Sequence, residues 1–205
     1  MPLSIEDIGE QSFYRQYSLI NVLNFEDCAI TIIGKSAFSG ANESSDSNLG
    51  ISFNGTSGYM ATNISKLPST LSKIDSSAFW KNYGITIKEL PDNVQFIGDM
   101  AFSRAPNVAI ADFGMGESQL TTIGSNAFRL AGINLTGVAD EIIVSFGPNL
   151  SQVDITAFRE SYLSHPTGQD DLKGITSSIR IYNAELYNKL EANNKAFTDV
   201  YAPYL

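Results

Sequence analysis

One nine-residue pattern constrains this chain more than any other feature, because it recurs six times in 205 residues. Written as a template it is an apolar residue, any two, Ile or Val, Gly or Asp, any two, Ala or Ser, and Phe. The copies begin at Ile5, Ile30, Leu71, Val94, Leu120 and Leu150 and end at Phe13, Phe38, Phe79, Phe102, Phe128 and Phe158. All five fixed positions are filled in every copy. Glycine holds the fifth position four times (Gly9, Gly34, Gly98, Gly124) and aspartate twice (Asp75, Asp154). Self-similarity of this kind marks a repeat protein, and the period decides the fold before any local signal does.

Each fixed position has a physical reading. In the fifth copy Leu120 and Ile123 anchor a short extended segment, and Gly124 ends it. Glycine costs nothing where φ is positive, and Asp is among the next most tolerated residues there, so a left-handed turn is expected at this position. Ala127 must be small because neighbouring coils approach closely, and Phe128 fills the space between coils. Units that stack in this way bury one continuous core that no single unit could bury alone. The phenylalanines are expected to form a ladder, each contributing roughly 1.5–3 kcal/mol of burial. Regularly spaced Phe residues of this type are core and not the lining of a ligand pocket.

The steps between the phenylalanines are 25, 41, 23, 26 and 30 residues. The shortest gives the bare repeat, and the others carry insertions. A period of about 20–29 residues belongs to leucine-rich repeats. Two copies are preceded by Leu-Pro, at Leu67-Pro68 and Leu90-Pro91. Proline cannot donate to a strand ladder and belongs at a strand end or a turn.

With Leu-Pro ahead of the apolar, Ile-Gly and Ala-Phe positions, the chain resembles the BspA-like leucine-rich repeat family of bacterial surface proteins and some protozoan counterparts. The resemblance runs from about Ile5 to Leu205. It implies a mainly β, right-handed solenoid of short parallel strands with little helix, and a non-enzymatic role, since no motif residue of the family is catalytic. Several members are adhesins that bind host proteins or other cells. The family often closes with a Tyr-rich helical segment, which is similar to the end of this chain.

Length fits a single domain, residues 1–205. Net charge of −9 and a pI near 4.5 oppose binding to nucleic acid, which needs a basic surface, and equally to an anionic membrane. No apolar run of about 18 residues is present, so membrane insertion is not expected. The lone Cys28 allows no internal disulfide and is expected as a small buried apolar residue. Met1–Glu10 is acidic and already belongs to a repeat, so it does not read as a signal peptide. That leaves two readings: a removed export signal, or a protein that reaches its site without one, as a phage structural component would.

Along the chain, residues 1–18 read as an N-terminal cap repeat, and Leu19–Phe25 as the first full strand. Residues 39–63 form the main insertion. Its Ala41–Asn48 portion is turn chemistry, and Leu49–Phe53 and Gly58–Ala61 could pair as a hairpin about Asn54-Gly55. Further strands are expected at Ile85–Ile87, Val108–Phe113, Ile133–Leu135, Glu141–Phe146 and Ser178–Tyr182, with a loop at Ser164–Lys173. From Ala184 to about Tyr201, Leu186, Leu190, Phe197 and Tyr201 lie on one helical face, and residues 184–205 read as the capping helix.

No catalytic constellation stands out. Cys28 and His165, the one histidine, lack any surrounding nucleophile motif, no spacing suits zinc, and neither Asp170-Asp171 nor Glu43 with Asp46 has the order of a calcium loop. Gly114-Met115-Gly116 is too short to cradle phosphate. The sequons at Asn42, Asn54, Asn63, Asn134 and Asn149 would matter only in a eukaryotic secretory protein. No enzyme activity, metal or cofactor is therefore expected. Two readings of function remain. One is a binding module at a cell surface that contacts protein or glycan; the other is an attachment or structural component of a phage virion, assembled into a larger particle. The candidate partner-binding residues are Tyr14, Tyr17, Tyr59, Trp80 and Tyr83, aromatics just outside the templates where the core does not claim them.

Overall fold

The computed structural model describes residues 3–16, 25–40, 64–108, 110, 112–113, 118–132, 141–154, 156–159, 161, 176–181 and 188. Nine strands are assigned among them, in chain order β1 (Asp7–Ile8), β2 (Ile32–Ile33), β3 (Lys73–Ile74), β4 (Phe96–Ile97), β5 (Asp112–Phe113), β6 (Thr122–Ile123), β7 (Glu141–Phe146), β8 (Gln152–Val153) and β9 (Thr176–Ile181).

Each template copy supplies one two-residue strand, and the six strands join in a single parallel sheet in the order β1-β2-β3-β4-β6-β8. The register places the fourth template position of each copy beside its equivalents, so Ile8, Ile33, Ile74, Ile97, Ile123 and Val153 form one column. All six are buried, whereas the residue before each is exposed or half-buried. Inward and outward positions alternate as a strand requires. A second parallel sheet, in the order β5-β7-β9, covers the other side of the last coils. The stack of short parallel strands is the solenoid that the period implies.

The phenylalanines form the expected ladder. Successive rings from Phe13 through Phe38, Phe79, Phe102 and Phe128 to Phe158 stack at 5.0, 5.3, 5.4, 5.2 and 5.0 Å between centroids, with interplanar angles of at most 19°. Phe25, Phe113 and Phe146 close the core around it, with Phe25 edge-on to Phe38 and Phe113 edge-on to Phe128 and Phe158. Ala37, Ala78, Ala101, Ala127 and Ala157 have no exposed surface, which accounts for the small residue ahead of each ring.

Between strand and ring the chain makes a run of overlapping turns. Ser12 N donates to Gly9 O, Tyr14 N to Gln11 O and Gln16 N to Phe13 O, and the same sequence recurs at Asp75–Asn82, Gly98–Ala105 and Gly124–Ala131. The amides in between donate instead to the following coil: Gln11 to Lys35 O, Phe13 to Ala37 O and Arg15 to Ser39 O. Three columns of hydrogen-bonded peptide groups therefore run along the stack beside the sheet.

The glycine position does not do what the sequence suggests. No positive φ occurs at Gly9, Gly34, Gly98, Gly124 or at the two aspartates. It falls two residues later, at Gln11, Ser36, Ser77, Met100 and Asn126, and again four residues beyond, at Arg15, Gly40, Lys81, Arg104 and Leu130. A positive φ at the third residue of a four-residue turn is the type II geometry. What excludes a side chain at the glycine is the preceding coil. A Cβ on Gly98 would lie 2.5 Å from Ser76 N, and one on Gly124 would lie 2.5 Å from Asp99 Oδ1 and 2.7 Å from Asp99 N. Gly9 faces no such backbone, its nearest contact being Ser12 Oγ at 3.5 Å. The aspartates cap the turn: Ser76 N donates to Asp75 Oδ1 and Thr156 N to Asp154 Oδ1.

Other expected strands are shorter. Ile85–Ile87 reduces to one bridge, Ile64 to Ile85, because the buried Asn82 carboxamide takes the amides of Gly84 and Ile85. Val108–Phe113 reduces to β5, since Val108 N closes a turn onto Ala105 O. The last strand lies one to two residues earlier than Ser178–Tyr182, as β9, while Glu141–Phe146 is found as expected. The expected strand at Leu19–Phe25 (Phe25 apart), the hairpin in 49–61, the strand at Ile133–Leu135 and the loop at Ser164–Lys173 lie outside the described residues. So does the helix of 184–205, apart from Asn188, which is helical.

Two stability outcomes follow from this packing. Phe102 is fully buried between Phe79 and Phe128, so Phe102→Ala should lower the unfolding free energy by about 3–5 kcal/mol in urea titration. Gly98→Ala should cost about 1–3 kcal/mol because its Cβ meets fixed backbone, whereas Gly9→Ala should stay within about 1 kcal/mol of wild type. Equal effects at the two glycines would refute the close-approach account.

Candidate interaction surface

Because successive coils are in register, residues at one template position form a row along the stack. The two positions after the ladder Phe lie on the turn edge. The first gives Tyr14, Ser39, Trp80, Ser103, Arg129 and Arg159, and the second gives Arg15, Gly40, Lys81, Arg104 and Leu130. The edge is tied together by the third peptide column, in which Arg15 N donates to Ser39 O, Gly40 N to Trp80 O, Lys81 N to Ser103 O and Arg104 N to Arg129 O.

Of the five aromatics singled out in the sequence, the structure places Tyr14 and Trp80 in the same row. They stand two coils apart, about 10 Å at the usual strand spacing. Ser39 lies between them and is buried, as is Ser103 between Trp80 and Arg129. Both rings are half-buried, and each carries a cation from the next residue. Arg15 Cζ lies 5.3 Å from the centre of Tyr14, and Lys81 Nζ lies 4.7 Å from the centre of Trp80. Such pairs are worth about 0.5–1 kcal/mol at exposed sites. Tyr83 follows at the next bend with 40% of its surface exposed, and its carbonyl accepts from Asn107 Nδ2. Tyr17 and Tyr59 lie outside the described residues. The basic members of the edge were not singled out in the sequence. Their signal was there, as Lys or Arg one or two residues after the template Phe.

The sheet face is a second regular surface. Its outward row is Asp7, Ile32, Lys73, Phe96, Thr122 and Gln152. Lys73 Nζ pairs with Asp75 Oδ2 at 2.8 Å and lies 5.7 Å from the centre of Phe96. Burial pushes the Asp75 carboxyl up, but the Lys73 hydrogen bond, the Ser76 amide and the charges of Lys73 and Lys35 outweigh it and hold the group below the ordinary carboxylate range. Hydroxyls and carboxamides complete the coil edges: Ser72 Oγ donates to Thr31 O, Thr121 Oγ1 to Gln95 O, Asn93 Nδ2 to Ser69 O and Asn149 Nδ2 to Ser118 O. These side chains bond the coil before their own and serve the stack.

A third feature is an open groove of about 450 Å³ between the two Leu-Pro segments, lined by Ser65, Lys66, Leu67, Thr86, Lys88, Leu90 and Pro91. Cys28 is buried, as the sequence suggests, and His165 lies outside the described residues. Among the described residues no three His, Cys, Asp or Glu side chains gather as a metal site would need, and no helix is long and apolar enough to cross a membrane.

A stack of coils with one dry core and several regular outer rows defines a repeat scaffold for interaction. The chain belongs to the family described as the BspA type leucine rich repeat region, whose profile matches residues 1–67 and 58–187 with six copies. Comparison with curated proteins and with solved structures gives no match. Membership makes the chain a repeat protein-interaction module.

The Lys73–Asp75 pair is exposed to 41% and 29%, so Lys73→Ala should cost no more than about 1 kcal/mol at pH 7. Because the folded carboxyl titrates below its unfolded value, that contribution is present above the ordinary pKa of about 3.9 and is lost as pH falls through the folded value. Urea titrations of the two proteins should therefore differ at pH 7 and converge once the pH has fallen below the folded carboxyl's titration range.

Proposed function

We propose that this chain is a non-enzymatic attachment module at a bacterial cell surface, and that it binds a protein or glycan partner along the turn edge. The observation that supports the reading is the contrast between rows. In copies two to six the apolar, Ile or Val, Ala and Phe positions are sealed into the core, while Tyr14, Trp80 and Tyr83 stand half-buried or exposed on a backbone held rigid by coil-to-coil hydrogen bonds. Aromatic side chains on a fixed frame lose little entropy on contact and carry much of the energy at interfaces. The edge amides are already committed to the next coil, so recognition there works through side chains.

The test uses the full chain coupled to beads and scored for adhesion to cells. A Trp80→Ala, Tyr83→Ala double variant, shown by circular dichroism and melting to be folded, should lose adhesion about tenfold or more. Unchanged adhesion by a folded variant removes this edge from consideration. A wild-type chain that ignores cells but assembles with itself into particles would favour the virion alternative.

A further inference from the structure

The turn edge concentrates charge that composition conceals. The chain carries 22 acidic and 13 basic residues, yet five of the 13 occupy the two positions after the ladder Phe: Arg15, Lys81, Arg104, Arg129 and Arg159. In sequence, one acid, Glu160, falls at those positions, and none does among the described residues. Lys81 and Arg104 stand at the second of these positions and Arg129 and Arg159 at the first, so four successive coils, spaced by roughly 4.8 Å, each bring one cation to the edge. Fields in salt reach only about 8–10 Å, so a bound molecule senses this row and not the acidic total.

We propose that this edge binds an acidic polysaccharide, a chain of sugars bearing carboxylates at regular intervals. Two observations favour that occupant over an acidic peptide. The edge amides of Arg15, Gly40, Lys81 and Arg104 already donate to the next coil, so a peptide cannot add to the edge as a strand. Tyr14 and Trp80 each set an apolar ring beside a cation, 5.3 and 4.7 Å from the ring centres, a pairing that suits the apolar edge of a sugar ring and the carboxylate at its rim. The proposal deepens the attachment reading and rests on it.

Titration calorimetry of the full chain with a hexuronate octamer tests the proposal, with a neutral hexose octamer, polyglutamate and oligo-dT as comparison probes. The uronate octamer should bind in a salt-dependent manner and the neutral octamer should not. Arg15 and Arg104 are exposed, so Arg15→Glu with Arg104→Glu should lower the melting temperature by no more than about 4 °C and weaken uronate binding about tenfold or more. Lys66→Glu with Lys88→Glu reverses as much charge elsewhere and should change it less than about twofold. Absent uronate binding, an equal loss in the Lys66 and Lys88 variant, or equally tight binding of polyglutamate or oligo-dT would overturn the proposal. Cell adhesion that survives in wild type and in the Arg15 and Arg104 variant alike would sink the polysaccharide and leave the attachment module standing. A wild type that binds uronate through this edge but attaches to no cell would support the polysaccharide and sink the surface role.

Discussion

A peptide-to-peptide hydrogen bond, repeated from one coil to the next, sets the distance on which this fold depends. Along the turns the donors run forward, from Gln11, Phe13 and Arg15 to the second coil and from Ser77, Phe79 and Lys81 to the fourth. In the sheet they run back, from Gly34 to Ile8 O and from Gly98 to Ile74 O. Two sets of bonds on different sides of the coil hold it level, and every side-chain row inherits the same short repeat. Phenylalanine suits that spacing because a flat ring stacks on its own image at 5.0–5.4 Å. Glycine is needed where the backbones touch, and alanine where a methyl is all that fits.

The turns carry a cost that the stack offsets. Nine residues other than glycine hold a positive φ among the described residues, from Gln11 to Leu130, and only Asn126 is of a type that favours it. Each such residue costs about 1 kcal/mol or more. Each also donates its amide to the next coil, at 2.7–3.3 Å, Asn126 to the Thr156 hydroxyl and the others to a backbone carbonyl. A net hydrogen bond is worth about 0.5–1.5 kcal/mol, so strain and bond are of one size and the conformation persists where a neighbour is present. The turn thus belongs to pairs of coils and not to a single repeat, which is one reason a lone repeat has no stable form.

What the sequence shows plainly is what must be the same in every coil. The Ile column, the Ala column and the Phe ladder each repeat a side chain, so all could be placed from the template alone. The glycine was placed correctly and explained wrongly, because close approach and positive φ select the same residue. Only the coordinates separate the two, through the backbone of Ser76 and Asp99 facing Gly98 and Gly124. The first left-handed position left no mark, since Gln11, Ser36, Met100 and Asn126 share no chemistry, and the second mixes Arg15, Lys81 and Arg104 with Gly40 and Leu130. The shortness of the strands at Ile85 and Val108 follows from one carboxamide and one turn, neither of which alters hydrophobic patterning. The candidate surface was half legible: Tyr14 and Trp80 were visible as aromatics outside the template, but that they share a row with a line of cations becomes apparent only in register.

That line of cations is itself a constraint on the isolated chain. Two unit charges about 5 Å apart repel by roughly 0.8 kcal/mol in water, and by less when long side chains splay or salt is present. Like charges on successive coils therefore contribute a small mutual repulsion, a term that serine or glycine, used at Ser39 and Gly40, lacks. Seating Arg15 over Tyr14 and Lys81 over Trp80 returns part of it and fixes where the charge points. The core does not require charge there, because Ser39 and Ser103 occupy the same row without loss of the Phe stack beneath them. Charge that the core does not require, that lies outside the repeat's fixed positions and that in two coils is seated on an aromatic ring is what the proposed edge contact would use.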